Sequence, residues 1–395
     1  MNNLLFLVHR IPYPPNKGDK IRSYNFLKGL AKNYHIHLAT FIDDSEDSQY
    51  VTKVQDLTAS SLFINLNPSL AKLKSISGLI MQQALTLPYY KSNELHEWVD
   101  KTILDNKIEK IFVFSSAMAQ YVLSYKDLDI VVDFVDVDSD KWLQYSQKAS
   151  WPMSWVYKRE AKLLLEFDNN IANLARMNIF VSQEEADLFK RLVEINENKI
   201  NYVNNGVDTD YFNINRHYQT PYTTSKNNIV FTGAMDYWAN IDAVTWFVKH
   251  VFTQIKQIDP HAKFYIVGSK PAKEVMQLAN VEGVFVTGSV EDIRPYIVFA
   301  NVVVAPLQIA RGIQNKVLEA MALGKRIVAT PQAIEGINID QQEVIIANNA
   351  EDFARQTLSF LSNSQVGHFV QENHDFVAKH HSWATSHKRL IDIID

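Results

Sequence analysis

Short apolar, β-branched runs recur along the chain, each followed by a longer stretch whose apolar positions fall three and four apart. In the first half they predict strands at Leu4–Val8, Ile36–Thr40, Leu62–Ile64, Ile111–Phe114, Ile130–Phe134, Ile179–Val181 and Ile200–Val203. The second half repeats the rhythm at Ile229–Thr232, Phe264–Val267, Val284–Thr287, Val302–Ala305, Ile327–Thr330 and Val344–Ile346. Strands alternating with helices imply parallel sheets covered on both faces. About a dozen such units exceed one ordinary open sheet, so two doubly wound domains are expected. The break should fall near Asn204–Thr224, where the chain turns polar before the next buried strand. Ligands of open α/β sheets bind beyond the carboxyl ends of the strands, which places the expected site in a cleft between two such domains.

Composition narrows the picture. A chain of 395 residues allows two or three domains with ample core. Its 39 Lys+Arg against 44 Asp+Glu argue against a nucleic-acid binder, which carries a basic footprint. There is no cysteine, which excludes disulfide scaffolds, zinc ribbons and thiol nucleophiles. No apolar run approaches the ~18 residues of a bilayer span, and the N-terminal LLFLV is too short for a signal segment. A cytoplasmic protein is the expectation.

The most informative stretch is APLQIARGIQNKVLEAMALGKRIVATP, residues 305–331. A buried strand ends at Ala305, a loop crosses Pro306 to Arg311, and Gly312 is expected to open a helix closed by Gly324. A helix N-terminus offers unpaired N–H groups and partial positive charge to an anion. Lys316 and Glu319, three apart, share a face near that end. They suit two parts of one nucleotide, phosphate on Lys316 and ribose hydroxyls on Glu319. The spacing alone favours the plainer reading, a surface ion pair on an ordinary helix.

This segment resembles the donor-site motif of the retaining GT-B glycosyltransferases (family four, group 1). Other pieces are similar to that family in the same order. They are VSQEEADLF at 181–189, VNNGVDTDYF at 203–212, FTGAMDYWANIDAVTWF at 231–247 and VTGSVEDIRPYIVFANVVVAPL at 286–307. The N-terminal HRIPYPPNKGDKIRSYNFLKGLA resembles sugar transferases associated with exopolysaccharide operons. The resemblance spans nearly the whole chain. It implies two Rossmann-like parallel-sheet domains facing across a cleft: an acceptor domain at 1–204, joined by a terminal crossover helix at about 380–395, and a donor domain at 205–379. Trp383, Leu390 and Ile391 would belong to that helix.

The resemblance further implies a nucleotide-sugar donor, a glycan or lipid-linked acceptor, no nucleic acid, no metal and no separate cofactor. Of the two glutamates usual in the donor motif, the second matches Glu319 and the first falls on Arg311, whose guanidinium would instead meet the diphosphate. Gly18 would lie over the donor phosphates. Gly233 and Ala234 would bring backbone amides to the diphosphate, as would Gly312 and Ile313. Ser289 and Val290 would meet the base. Asp236 and Asn240 suit capping of the next helix. Asp136 stands where the family often has a histidine, as an acceptor-side polar contact or proton acceptor. The repeated acidic pattern Asp136-Val-Asp138 and Asp138-Ser-Asp140 resembles the metal motif of another glycosyltransferase fold, which the donor segment argues against. Lys20 and Arg22 belong to a basic stretch that would suit a phosphorylated lipid acceptor or an anionic membrane surface, with a solvated helix face the plain alternative.

Lys316, Arg311 and Asp136 are thus the expected catalytic groups. A nucleotide-sugar-binding subunit without catalysis is the other reading, since Arg311 replaces a glutamate. A sugar-nucleotide epimerase of the same fold lacks support from the acceptor-side loop. A Rossmann oxidoreductase is disfavoured because no GxGxxG follows a strand.

Overall fold

The computed structural model describes residues 1–15, 18–223, 226–310, 312–340, 343–363 and 369–395; Arg311 lies outside them. All thirteen expected strands are present, to within two residues at each end. They are β1 (Asn2–Val8), β2 (Tyr34–Ile42), β3 (Ser60–Asn65), β4 (Lys110–Phe114), β5 (Asp129–Val135), β6 (Met177–Phe180) and β7 (Ile200–Tyr202). The second set is β8 (Asn228–Thr232), β9 (Lys263–Val267), β10 (Val284–Gly288), β11 (Val302–Ala305), β12 (Ile327–Ala329) and β13 (Val344–Ile346). Neighbours pair in parallel, in the orders β3-β2-β1-β4-β5-β6-β7 and β10-β9-β8-β11-β12-β13.

Continuous apolar runs become central strands because helices cover both of their faces. Leu4 to Val8 are all fully buried, as are Ile229, Val230 and Phe231. Each sheet has one topological switch point, where the strand order reverses: between β1 and β4 in the first, between β8 and β11 in the second. Loops at those carboxyl ends diverge and leave a crevice.

The chain divides into two compact units, Met1–Asn204 with Ser386–Asp395, and Asn205–Thr385. The terminal helix Trp383–Ile394 carries the chain back to unit 1. There Ser386 donates to the Asn204 carbonyl at 2.8 Å, and Arg389 reaches Asn201 at 2.9 Å with its guanidinium 3.8 Å above the Tyr202 ring. Within unit 2, Val207 bridges to Ser382. A Cβ on Gly206 would stand 2.3 Å from the Trp383 nitrogen, so the glycine of NGVD permits this close pairing of chain segments.

The helix Gly18–Leu30 corrects one expectation. Lys20 and Arg22 do not form a basic outer face. Lys20 is buried and ion-paired with Asp47. Arg22 is fully buried; its Nε lies 2.7 Å and its Nη2 3.2 Å from the two carboxylate oxygens of Asp133, and Nη1 donates to the Val203 carbonyl at 2.6 Å. The pair therefore ties this helix to β5 and to the chain just beyond β7. Removing one partner strands the other charge in a dry interior. Arg22→Ala is expected to cost about 3–5 kcal/mol in urea unfolding; a variant as stable as the parent would show that the guanidinium does not hold the interior together.

Candidate functional site

In unit 2 the loops after β8, β9 and β11 converge beyond the switch point. Gly233 ends β8's path, and its N–H donates to the Val267 carbonyl at 3.1 Å. The next loop approaches so closely that a Cβ on Gly268 would overlap the Gly233 carbonyl oxygen, at 1.6 Å. Glycine is required there, and sequence inspection had not singled it out. Met235 N–H then donates to the Ser269 carbonyl at 2.8 Å, locking the two loops together.

Asn240 joins this backbone to the next helix. The position before helix Trp238–Trp246 is Tyr237, which makes no side-chain cap, so neither Asp236 nor Asn240 caps it as expected. Instead Asn240 is buried, donates through Nδ2 to the Ala234 carbonyl at 2.8 Å, and accepts from Lys316 Nζ through Oδ1. The Lys316 ammonium also sits 4.4 Å from the centroid of the Phe231 ring. Gly233 lies against both side chains, with Ala234 exposed beside it. Gly233, Ala234 and Lys316 are thus brought together.

The helix bearing Lys316 spans Asn315–Ala322, three residues later than Gly312, which adopts the left-handed φ of 67° in the preceding loop. Gln314 precedes the helix in extended conformation without a side-chain cap, leaving its amino end to other acceptors. Ile313 packs on the core of unit 2. Glu319 lies one turn along, half-buried like Lys316. Burial pulls the Lys316 pKa down to about 7, opposed by Glu319. Burial likewise pushes Glu319 up to about 7, opposed by Lys316. Neither is the solvated ion pair that the spacing alone allowed.

Tyr211, whose phenol feels the Glu319 charge, joins a group the sequence had not signalled as chemical. The Arg294 guanidinium lies 3.7 Å from the Tyr211 ring centroid and pairs with Asp292 at 2.7 Å. Burial raises the Tyr211 phenol, with Asp292 and Glu319 adding to the effect. Tyr211 belongs to the NGVD segment, so its aromatic pair with Phe212 was the available signal. Ser289 is exposed after β10, and Val290 packs on the core.

In unit 1 the strand ends are strained. Ser115, after β4, has φ 75°, and Val135, closing β5, has φ 68°, a conformation β-branched residues rarely adopt. Val135 N–H donates to Asp133 Oδ1 at 3.0 Å, so the carboxylate that holds Arg22 also holds this turn. Asp136 follows, a third exposed, with Lys141 at 2.7 Å and Asp138 3.1 Å from the same ammonium. Burial lowers the Lys141 pKa, but Asp138 and Asp136 outweigh it and hold it above the ordinary lysine value. The acidic pattern therefore neutralises a lysine. Among the described residues, no group of three or more His, Cys, Asp or Glu is placed to hold a metal ion. Gly18 is exposed at the start of its helix, with nothing near its Cβ position. At the switch point, His9 Nε2 lies 3.4 Å from Asp19, and Arg10 joins Asp19 and Asp43, each at 2.7 Å. Polar residues directly after β1 were the missed signal.

Residues 226–363, about a third of the chain, match the family model described as glycosyl transferases group 1. That segment is similar to the group 1 glycosyltransferases. No curated protein matches it. Among solved structures it is similar to a glycosyltransferase from Rickettsia africae, at 14% identity and TM-score 0.67, over 100% of this chain and 98% of that one. Sucrose-phosphate synthase from Thermosynechococcus elongatus gives 15% and 0.65 over 100% and 98%. HepE of Anabaena, solved with UDP and glucose, gives 13% and 0.63 over 100% and 99%. At such identities the likeness establishes the fold, which is GT-B-like. The described helices include none long and apolar enough to cross a membrane.

The Lys316 environment would make binding of an anion at this site pH-linked. A diphosphate favours the charged ammonium and raises its pKa. Above pH 7 the free protein holds Lys316 largely neutral, so binding must take up a proton; below pH 7 the proton is already in place. At pH 8 calorimetry with a nucleoside diphosphate in two buffers of different ionisation enthalpy should report uptake approaching one proton, absent in Lys316→Met. Buffer-independent heats in the parent would remove Lys316 from the phosphate site.

Proposed function

We propose that this protein is a glycosyltransferase that moves a sugar, with retention of configuration, from a nucleotide-diphosphate donor bound by unit 2 to a cell-envelope or exopolysaccharide acceptor engaged by unit 1, in the cytoplasm. The observation that carries this reading is the junction at the second switch point: Lys316 held by Asn240 against the Gly233–Ala234 backbone, with Glu319 one turn further on.

In this reading the Gly233 and Ala234 amides, the Gly312–Ile313 backbone and the uncapped helix end face the diphosphate. Lys316 stabilises the charge that develops on the departing phosphate, and Arg311 contributes a guanidinium to the same group. Glu319 accepts from the ribose hydroxyls, while Ser289 and Val290 meet the base. The bond from anomeric carbon to phosphate oxygen breaks as the acceptor oxygen bonds on the same face. The acceptor's proton passes to the departing phosphate, so no carboxylate nucleophile is needed. Asp136, steadied by Lys141, orients the acceptor hydroxyl, with Gly18 near the phosphates.

The nucleotide is found by thermal shift with UDP, GDP, ADP, CDP and dTDP; UDP comes first, because HepE, of the same fold, was solved with UDP-glucose. A ligand at a hundred times its dissociation constant adds ~2.7 kcal/mol. One nucleotide should stabilise the parent and lose most of that effect in Glu319→Ala; equal stabilisation of both would sink the donor assignment. With the matching nucleotide sugar, Asp136→Asn should slow transfer while keeping the nucleotide shift. Binding without hydrolysis or transfer would favour the non-catalytic subunit that Arg311 also suits.

A further inference from the structure

Two segments of unit 1 share an unusual composition. Residues 66–91 carry Lys72, Lys74 and Lys91 and no Asp or Glu; residues 142–159 carry Lys148, Lys158 and Arg159 and again no Asp or Glu. The chain as a whole is acidic, at net -5, so this basic character is local. The first segment forms the helices Pro68–Ser75 and Ser77–Ile80, the second the end of helix Asp138–Lys148 and the start of helix Met153–Leu174.

Their large apolar side chains point outward. Ile80 is 86% and Trp151 81% exposed, and Leu73, Ile76, Met153 and Trp155 are exposed with them. The two segments lie side by side. Lys72 and Ser75 from one, and Met153, Val156 and Tyr157 from the other, line a single cavity of about 580 Å³ that reaches His9 and Ser115 at the first switch point. Arg159 fastens them together by donating to the Gly78 carbonyl at 2.7 Å and the Gln83 carbonyl at 3.1 Å. Buried Glu160 adds bonds from the Thr86 amide and hydroxyl at 3.0 and 2.7 Å.

We propose that this surface docks on an anionic lipid bilayer, with the tryptophans and isoleucines entering the headgroup boundary and the lysines meeting lipid phosphates. Exposed apolar patches of this kind mark interaction sites. Tryptophan favours the membrane–water interface, and lysine beside it is drawn to negative surface potential. The absence of acidic residues across both segments is the complementarity that selects a bilayer. Basic side chains were also expected to meet a membrane from the N-terminal helix, but Lys20 and Arg22 are buried there. The surface opens beside the cavity, so an amphiphilic acceptor would reach the switch point without leaving the bilayer. The docking itself rests on the exposed surface and not on the donor-site reading.

The test is co-sedimentation of the full chain with vesicles of phosphatidylcholine alone or with about a third phosphatidylglycerol. Binding should require phosphatidylglycerol and weaken as salt screens the lysines. Ile80→Ser/Trp151→Ser and Lys74→Glu/Lys158→Glu should each lower the partition coefficient about tenfold or more. All four positions are exposed, so melting temperature and nucleotide-induced shift should match the parent, which separates failure here from failure of the donor site. No binding to phosphatidylglycerol vesicles, or equal binding by the variants, overturns the proposal. So does a dimer in sedimentation equilibrium that both variants dissolve, since the surface would then belong to a second copy of the chain.

Discussion

A parallel strand buried on both faces admits a charged side chain only where a partner meets it, as Arg22 meets Asp133 of β5, and otherwise carries its charges beyond its ends. That constraint organises the candidate chemistry of both units. The apolar run of β1 closes directly on His9 and Arg10, β5 on Asp136, β8 on Gly233, and β11 on the loop that leads to Lys316. The strand order then decides which of these ends stand together, because only at a switch point do adjacent connections leave in opposite directions. In unit 2 the chemistry that meets there is cationic and backbone-rich, suited to a phosphate. In unit 1 it is mixed, with His9, Asp19, Arg10 and Asp43 in one network.

The buried Arg22–Asp133 pair extends this logic. A buried ion pair is a weak source of stability compared with well-packed apolar side chains, so its presence asks for another reason. Asp133 supplies one by accepting from the Val135 amide as well as from Arg22. Val135 holds a left-handed backbone costing of order 1–3 kcal/mol, and that turn is what presents Asp136 outward. Arg22 is thus a positioning residue for the end of β5, acting through Asp133 without reaching solvent.

The strands were legible because burial on both faces writes itself as an uninterrupted apolar run, which no other element of this length produces as regularly. The Lys316–Glu319 spacing and the left-handed Gly324 were legible for the same local reason: both are settled within one helix. What could not be read depends on partners remote in sequence. Arg22 looks like any surface arginine until Asp133, 111 residues away, is folded against it. Asn240 resembles a capping residue until Lys316, 76 residues on, arrives at its carbonyl oxygen. Gly268 carries no motif, and its necessity appears only when the Gly233 carbonyl is placed where a Cβ would be.

The same comparison explains why Lys316 and Glu319 are informative beyond their spacing. A solvated pair keeps ordinary pKa values and contributes little. These two are half-buried, and burial disfavours both charges more than their mutual attraction restores. A fold gains nothing in stability from keeping such a pair, and apolar residues of similar volume would serve the helix Asn315–Ala322 as well or better. The pair makes physical sense if an incoming group completes it. An anion restores the charge on Lys316, and hydroxyl donors restore the charge on Glu319. A ligand carrying both, one helical turn apart, relieves each desolvation penalty with a different part of itself. A nucleoside diphosphate has that layout. Asn240 holds Lys316 in place beforehand, so an anion arriving there would leave little side-chain ordering to offset its gain.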